Sequence, residues 1–326
     1  MVKDQLITED YSIYNSDCVY VMQQLPEKSI DLSVYSPPFA GLYNYSSSEF
    51  DHSNCETKEQ FLEMYEFTVK EIARLTKPGR ITAVHVTNIK DSKTGKMWNL
   101  PNEVAKLHDK HGFDWQDQIT IWKEPLKVRM RTMVKSLMHK LIVEDATQCF
   151  TAMPDYLMIF RKEGTNEVPV THPFGLTHYA GDTPFLKEHT ETYGHYHEFR
   201  KKWLAFDGDP RENKLSHITW QRYASSVWDD IRIDEVLQYR ESKDEDDEKH
   251  VHPLQLDVID RCVELWSNPR EIVLTPYMGV GSEVFSPVRL NRKAIGVELK
   301  ESYYKQAIKN LATVGKYKTD FQLSFA

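Results

Sequence analysis

Seven short apolar runs punctuate the sequence, and their spacing limits the fold more than any other feature. They are Tyr11–Asn15, Ile30–Ser36, Ile81–Val86, Gln118–Trp122, Asp155–Lys162, Glu271–Thr275 and Lys293–Glu298. Each has the length of a strand, and most alternate with longer amphipathic stretches of helical period. Thr57–Leu75 is the clearest of these, with a threonine at the cap position and Glu59 and Gln60 in the first turn. Shorter helices are expected around Val19–Leu25, Asn102–His111, Leu254–Ser267 and Ser302–Leu311, and Lys77–Arg80 (KPGR) should break the long helix before the next strand. Alternating strands and helices make an α/β domain, a doubly wound sheet covered on both faces. Glu163–Asp247 breaks the pattern. It is rich in His, Gly, Pro, Tyr and Thr, lacks a clear period, and reads as an inserted, loop-rich region with some helix near Leu186–Phe206. A chain of 326 residues can hold one large domain with such an insertion. The divisions are 1–162, 163–249 and 250–326, the first and last being halves of one domain.

The run EIVLTPYMGVGSEVF (Glu271–Phe285) reads as strand, tight turn and helix. Gly279 and Gly281 let the backbone turn sharply and come close to a ligand. Glu298 ends the next strand, 17 residues beyond Gly281. An acid at that offset can accept hydrogen bonds from ribose hydroxyls, so a nucleoside-bearing cofactor is expected. Val284 takes the place of the third small residue of the dinucleotide fingerprint, and no Walker lysine follows the turn. A nicotinamide-dependent oxidoreductase is disfavoured on that ground.

A second stretch, VYSPPFAGLYNYS (Val34–Ser46), ends a buried strand in a serine, two prolines and an aromatic residue. Ser36-Pro37-Pro38-Phe39, taken with TPYMGVGS (Thr275–Ser282), resembles motifs IV and I of the DNA amino-methyltransferases. The resemblance takes in Asp17 after the first strand, RLTKPGR, DYLMIFRK, HPLQ at His252–Gln255 and GVELKESYY, and so most of the chain. The catalytic motif comes first and the cofactor motif last. That order resembles the circularly permuted beta group, with its target-recognition region between the two. The resemblance implies a seven-stranded Rossmann-like sheet, S-adenosylmethionine as cofactor and S-adenosylhomocysteine as product. It implies that Asp17, Pro253, Thr275, Pro276, Tyr277, Met278, Gly279, Gly281, Ser282 and Glu298 hold the cofactor. Serine at the head of the catalytic motif is the usual pattern for N4 of cytosine, and aspartate or asparagine for N6 of adenine. Site-specific methylation of cytosine N4 is expected, with adenine N6 as the alternative.

The motif suits that chemistry. An exocyclic amine is a poor nucleophile because its lone pair is delocalised into the ring. Acceptors aimed at its hydrogens favour pyramidal nitrogen and stabilise the charge that develops. Ser36 Oγ and the Pro37 carbonyl can supply them, and the prolines stiffen the backbone that carries the carbonyl. Phe39 can stack on a base drawn out of the duplex. Two departures stand out: Thr275 replaces the acid usual at the start of the cofactor motif, and Arg80 replaces a second glycine. The first leaves open a catalytically weak DNA-binding or regulatory protein on the same fold. Methylation at C5 of cytosine is disfavoured, because none of the four cysteines follows a proline.

Double-stranded DNA is the partner so implied, although the net charge is -8. Charge is unevenly spread: Trp122–Lys162 carries eight basic and four acidic residues. Arg129, Arg131 and Lys135 there, with Arg200, Lys201 and Lys202 in EFRKKW, are the candidate phosphate contacts. The acid gathers in ESKDEDDEK (Glu241–Lys249), a solvated loop. His172, His178, His189, His195 and His197 lack a completing Cys or acid ligand, so no metal is expected. Trp203, Trp220, Tyr223 and Trp228 read as core residues rather than base-stacking ones. Widely spaced cysteines without a CxxC pair, no apolar signal core and no membrane-length apolar run fit a cytoplasmic protein of a bacterial, archaeal or phage-infected cell. Either a monomer or a homodimer is compatible with this pattern.

Overall fold

A computed structural model describes residues 1–38, 55, 57–90, 96–181, 207–242 and 253–315. The strands are β1 (Asp4–Ile7), β2 (Tyr11–Asn15), β3 (Ile30–Tyr35), β4 (Thr76–Val86), β5 (Ile89–Lys90), β6 (Met97–Trp98), β7 (Phe113–Ile121), β8 (Asp155–Lys162), β9 (Val227–Trp228), β10 (Ile272–Thr275) and β11 (Lys293–Glu298). β5 and β6 form a separate ribbon, and the others one nine-stranded sheet in the order β1-β2-β11-β10-β3-β4-β8-β7-β9. The seven expected strands lie side by side in its centre. β1 and β9 are additional edge strands, so the sheet is wider than expected. β2, β11, β10, β3 and β4 run parallel, and β8 is antiparallel to both β4 and β7.

Successive residues of a strand point to opposite faces, and both faces here are covered. Leu32, Val34 and Val273 pack with α7 (Leu256–Trp266), α8 (Ser282–Arg289) and α9 (Glu301–Leu311). Tyr35, Val84, Leu274 and Val297 pack with α1 (Cys18–Met22), α2 (Lys58–Leu75) and α3 (Leu100–Lys110). The cap of α2 is a full capping box: Thr57 accepts from the Gln60 backbone while Gln60 reaches back to the cap.

KPGR does not form a separate break. Helix α2 ends at Leu75 and β4 begins at Thr76. The stretch bulges instead, since Ile30 pairs with Thr76 but Leu32 with Ile81. Pro78 has no N–H to give a ladder, and Gly79 has φ +73°. Arg80 is thereby buried, donates to the Asp31 carbonyl at 3.0 Å and pairs with Glu271. It ties β3 to the segment that leads into β10, at the end of the sheet away from the strand carboxyl ends.

The basic segment after β7 holds α4 (Pro125–Thr132) and α5 (Leu141–Glu144). Among its described residues, the inserted region holds regular elements that its sequence did not suggest. Helix α6 (Lys214–Tyr223) leads into β9, which adds to the edge of the sheet beside β7. Tyr223 and Trp228 are core residues as expected, but Trp220 is exposed. Arg261 of α7 is fully buried among Tyr179, Tyr223 and Trp228, with its guanidinium 4.7 Å from the Tyr223 ring and Nη2 2.8 Å from Asp230. This cluster fastens the inserted region to the sheet. The helix expected at Leu186–Phe206 and Lys243–Lys249 of the acidic run lie outside the described residues. Among the described residues no helix is long and apolar enough to cross a membrane.

Candidate active site

The direction of the crossovers fixes where a ligand can sit. From β10 the chain passes through α8 to β11 on one side, and from β3 through α2 to β4 on the other. The switch point lies between β10 and β3, and α/β sheets open a crevice at the carboxyl ends of such strands. Ser36 and Pro37 follow β3 there, and Pro276–Gly281 follow β10. The two sequence motifs, 240 residues apart in the chain, therefore emerge side by side.

The residue before Ser36 is held firmly. Tyr35 is fully buried, and its hydroxyl lies 2.9 Å from that of Tyr65 and 3.3 Å from His108 Nε2. Burial pushes His108 down to about 4, so it stays neutral in this network. Tyr277 of the glycine turn packs its ring 5.9 Å from that of Tyr35 and bonds Thr68 of α2 at 2.8 Å. Both motifs are thus fixed to the same underlying aromatic layer. Pro37 is buried and Pro38 half-buried. Phe39 lies outside the described residues.

On the other motif, Gly279 has φ +52° and Gly281 has φ +98°, conformations that favour glycine. Among the described residues, a Cβ on Gly279 would meet nothing within 4 Å, which leaves that backbone open to a ligand. A Cβ on Gly281 would press on Ala307 at 3.2 Å. Glu298 braces the turn, its carboxylate accepting from the Gly279 N–H at 2.9 Å and the Lys300 N–H at 2.8 Å. A carboxylate at this place is the kind of acceptor a ribose hydroxyl needs. Asn310 of α9 donates to the Val280 carbonyl at 2.9 Å, a support the sequence did not suggest.

Val284, out of place in the fingerprint, is explained by Gly296 of β11. A Cβ at Gly296 would lie 2.5 Å from Val284 Cγ2. The small residue that lets helix and strand approach has moved to the strand. Thr275, Pro276, Met278 and Ser282 are buried beneath the turn. Asp17 lies beside Glu298, since the Ser16 N–H donates to the Glu298 carbonyl at 3.0 Å. One carboxylate oxygen of Asp17 caps α1 through the Tyr20 N–H at 2.8 Å. Pro253 is half-buried just before α7. Glu283, buried in the first turn of α8, went unnoticed in the sequence. Burial pushes its carboxyl up to about 8, its own backbone N–H pulling the other way and the nearby Glu298 charge adding to the rise.

Sequence reasoning also missed His85 and Asp155, read only as strand residues. Ser36 Oγ donates to the His85 carbonyl at 3.1 Å and lies 3.3 Å from His85 Nδ1. His85 Nε2 lies 3.2 Å from Asp155 Oδ2, a close approach without good hydrogen-bond alignment. Lys123 Nζ lies 2.5 Å from the other carboxylate oxygen. Burial alone would raise the Asp155 carboxyl, but His85 and Lys123 hold it down at about 2. The signal that could have found this array is a histidine in an otherwise apolar strand, ITAVHV.

β7 points the same way as β4, being separated from it by the antiparallel β8. Residues 122–154 therefore leave and return at the same edge as Ser36. This segment exposes Leu126 (70%), Met130 (78%), Val143 (84%) and Phe150 (70%). Lys135 is exposed and Arg129 half-exposed; Arg131 lies in α4, its side chain outside the description. Arg200, Lys201 and Lys202 lie outside the described residues, as do His189, His195, His197 and Trp203. His178 contacts Asp260 at 3.5 Å, and among the described residues no cluster of His, Cys, Asp or Glu could hold a metal.

Known proteins bear on this arrangement. M.BglII, a type II methyltransferase of Bacillus subtilis, is 23% identical over 295 residues, which are 89% of this chain and 66% of that protein. YhdJ, a DNA adenine methyltransferase of Escherichia coli (strain K12), is 20% identical over 318 residues, 96% of this chain and 86% of that one. Among solved structures, TTHA0409 of Thermus thermophilus complexed with S-adenosyl-L-methionine has a TM-score of 0.59 and 18% identity, over 94% of this chain and 95% of its own. The PvuII DNA methyltransferase (cytosine-N4-specific) also has a TM-score of 0.59, at 14% identity, over 98% of this chain and 95% of its own. At such identities these likenesses establish the fold. The N6_N4_Mtase model, described as DNA methylase, matches residues 30–309, and the chain belongs to that family.

Proposed function

We propose that the protein transfers a methyl group from S-adenosylmethionine to an exocyclic amine of duplex DNA, the N4 amine of cytosine. One observation carries the reading: Ser36-Pro37 and the glycine turn leave neighbouring parallel strands at the switch point of the sheet. The residues at that point fit the cofactor. Gly279 offers open backbone, Glu298 offers acceptors for ribose, and Asp17 lies beside it. When bound, the cofactor supplies an electrophilic methyl group. The Ser36 hydroxyl and the Pro37 carbonyl accept from the target amine and orient its lone pair, largely a positioning effect. Phe39 stacks on the extruded base. The serine-led motif favours cytosine.

In the same reading the chain is circularly permuted. Residues 1–162 and 250–326 form one catalytic domain, and 163–249 supply target recognition. Residues 122–154, with Arg129, Arg131 and Lys135, face the DNA backbone, joined by Arg200, Lys201 and Lys202.

The test is methyl transfer to unmodified phage DNA, followed by digestion and mass spectrometry of the nucleosides. N4-methylcytosine is the expected product. N6-methyladenine overturns the choice of base, and absence of methylation overturns the reading. Ser36→Ala should slow transfer on the order of ten- to a thousandfold. Calorimetry should find cofactor affinity nearly unchanged, because the lost contact belongs to the transition state.

A further inference from the structure

We infer that His85, held by Asp155, takes the proton that the target amine releases, acting through Ser36. The inference rests on the methyl-transfer reading above and adds a base to it. Methylation exchanges one N–H of the amine for N–CH3, so one proton must leave. Two acceptors on the amine orient it, but a serine hydroxyl and a carbonyl cannot keep a proton at neutral pH. An imidazole can.

The geometry supplies the route. In the resting protein the Ser36 hydroxyl donates to the His85 carbonyl at 3.1 Å; turned to His85 Nδ1, 3.3 Å away, it passes its own proton to the imidazole as it takes the amine's. The new N–C bond forms as the donor's C–S bond breaks, and the donor's positive charge ends on the imidazole. The negative charge of Asp155 Oδ2, 3.2 Å from Nε2, favours a proton on that nitrogen even without good hydrogen-bond alignment, which leaves Nδ1 as the acceptor. It then faces the imidazolium as a carboxylate. The pair is shielded, His85 and Asp155 each being only 7% exposed. Lys123 at 2.5 Å keeps Asp155 ionised and limits how strongly it holds the proton on His85. Among the described residues, the charged groups facing the imidazole from neighbouring strands are Asp155 on β8 and, through it, Lys123 beyond β7. Ser36 faces it from β3. His85 and Asp155 are positioning residues, since the groups that touch the amine are Ser36 and the Pro37 carbonyl.

The experiment is single-turnover transfer of tritiated methyl from S-adenosylmethionine to unmodified phage DNA, followed from pH 5 to 9. The wild-type rate should rise with pH through one ionisation. His85→Asn keeps a polar group near Nδ1 but cannot titrate. It should lose the ionisation and slow transfer on the order of a hundredfold or more, with cofactor affinity by calorimetry within twofold. Two further variants should move the ionisation in opposite senses. Asp155→Asn removes the charge that favours imidazolium and should shift it to lower pH. Lys123→Met removes the opposing cation and should shift it to higher pH. A His85→Asn protein with a wild-type pH profile and rate overturns the inference while the methylation reading stands. So does an ionisation that neither Asp155→Asn nor Lys123→Met moves; Lys123→Met, being the milder change, keeps the test open should Asp155→Asn fail to fold. If the wild-type protein transfers no label, it is the methylation reading that fails.

Discussion

Gly296 offers a direct test of how the glycine turn is held. An alanine there would place its Cβ 2.5 Å from Val284 Cγ2 and 2.7 Å from Met278 Sδ. Carbon atoms sit comfortably at about 3.5–4.0 Å, so roughly an ångström of movement is required. Val284 and Met278 are both buried and cannot move without displacing α8 or the turn. Overpacking of this kind costs about 1–3 kcal/mol. Removing a glycine recovers about 0.4–1 kcal/mol through the unfolded chain, which leaves a net loss of about 1–2 kcal/mol. Val284→Ala alone leaves a cavity and should cost about 2–3 kcal/mol. In the double variant the new methyl enters the space the valine vacates. The two costs should then fall short of additivity by about 1–2 kcal/mol. Urea unfolding followed by circular dichroism measures all four proteins. Calorimetry with S-adenosylmethionine should find weaker binding by Gly296→Ala, restored in the double variant, because Met278 belongs to the turn. Strict additivity would refute the packing account, as would a Gly296→Ala protein as stable as the parent.

Two further outcomes concern buried charge. Glu283 holds its proton up to about pH 8 when folded, against about 4.5 when unfolded. The folded state therefore binds the extra proton between those values, and stability falls as pH rises through the window. Glu283→Gln should stabilise the cofactor-free protein by a few kcal/mol at pH 8.5 and hardly at all at pH 5; parallel melting profiles for the two proteins would rule this out. Asp230→Ala strands the fully buried Arg261 and should cost about 3–5 kcal/mol, whereas Asp230→Asn, which keeps a hydrogen-bond acceptor, should cost less; chemical denaturation separates the two, and equal losses would show that the charge is not what matters.

What could be read from the sequence follows from where each element lies. The strands at the middle of the sheet, β3 above all, stand out because strands covered on both faces are largely apolar, whereas β7, exposed from Asp114 to Asp117, shows only its far end, from Gln118 on, as an apolar run. β1 has three exposed residues of four and so carries no such pattern, and β9 is only two residues long. The two motifs were legible because glycine and proline constrain the backbone itself. The long helix does end just before KPGR, but KPGR itself belongs to the strand, because a proline beside a glycine ends a helix and bulges a strand equally well and only the partner strand decides between them. Val284 looked like a defect in the fingerprint because its compensation, Gly296, lies on the adjacent strand. Glu283 reads as an ordinary acid at a helix start, where the dipole favours one. Its burial is a property of the packed turn. His85 and Asp155 were hidden for a related reason. They lie 70 residues apart, and antiparallel pairing of β4 with β8 brings their strand ends together only at the carboxyl edge where Ser36 emerges. A histidine in an apolar strand belongs where the strand meets a polar group, and here that group is the serine of the catalytic motif.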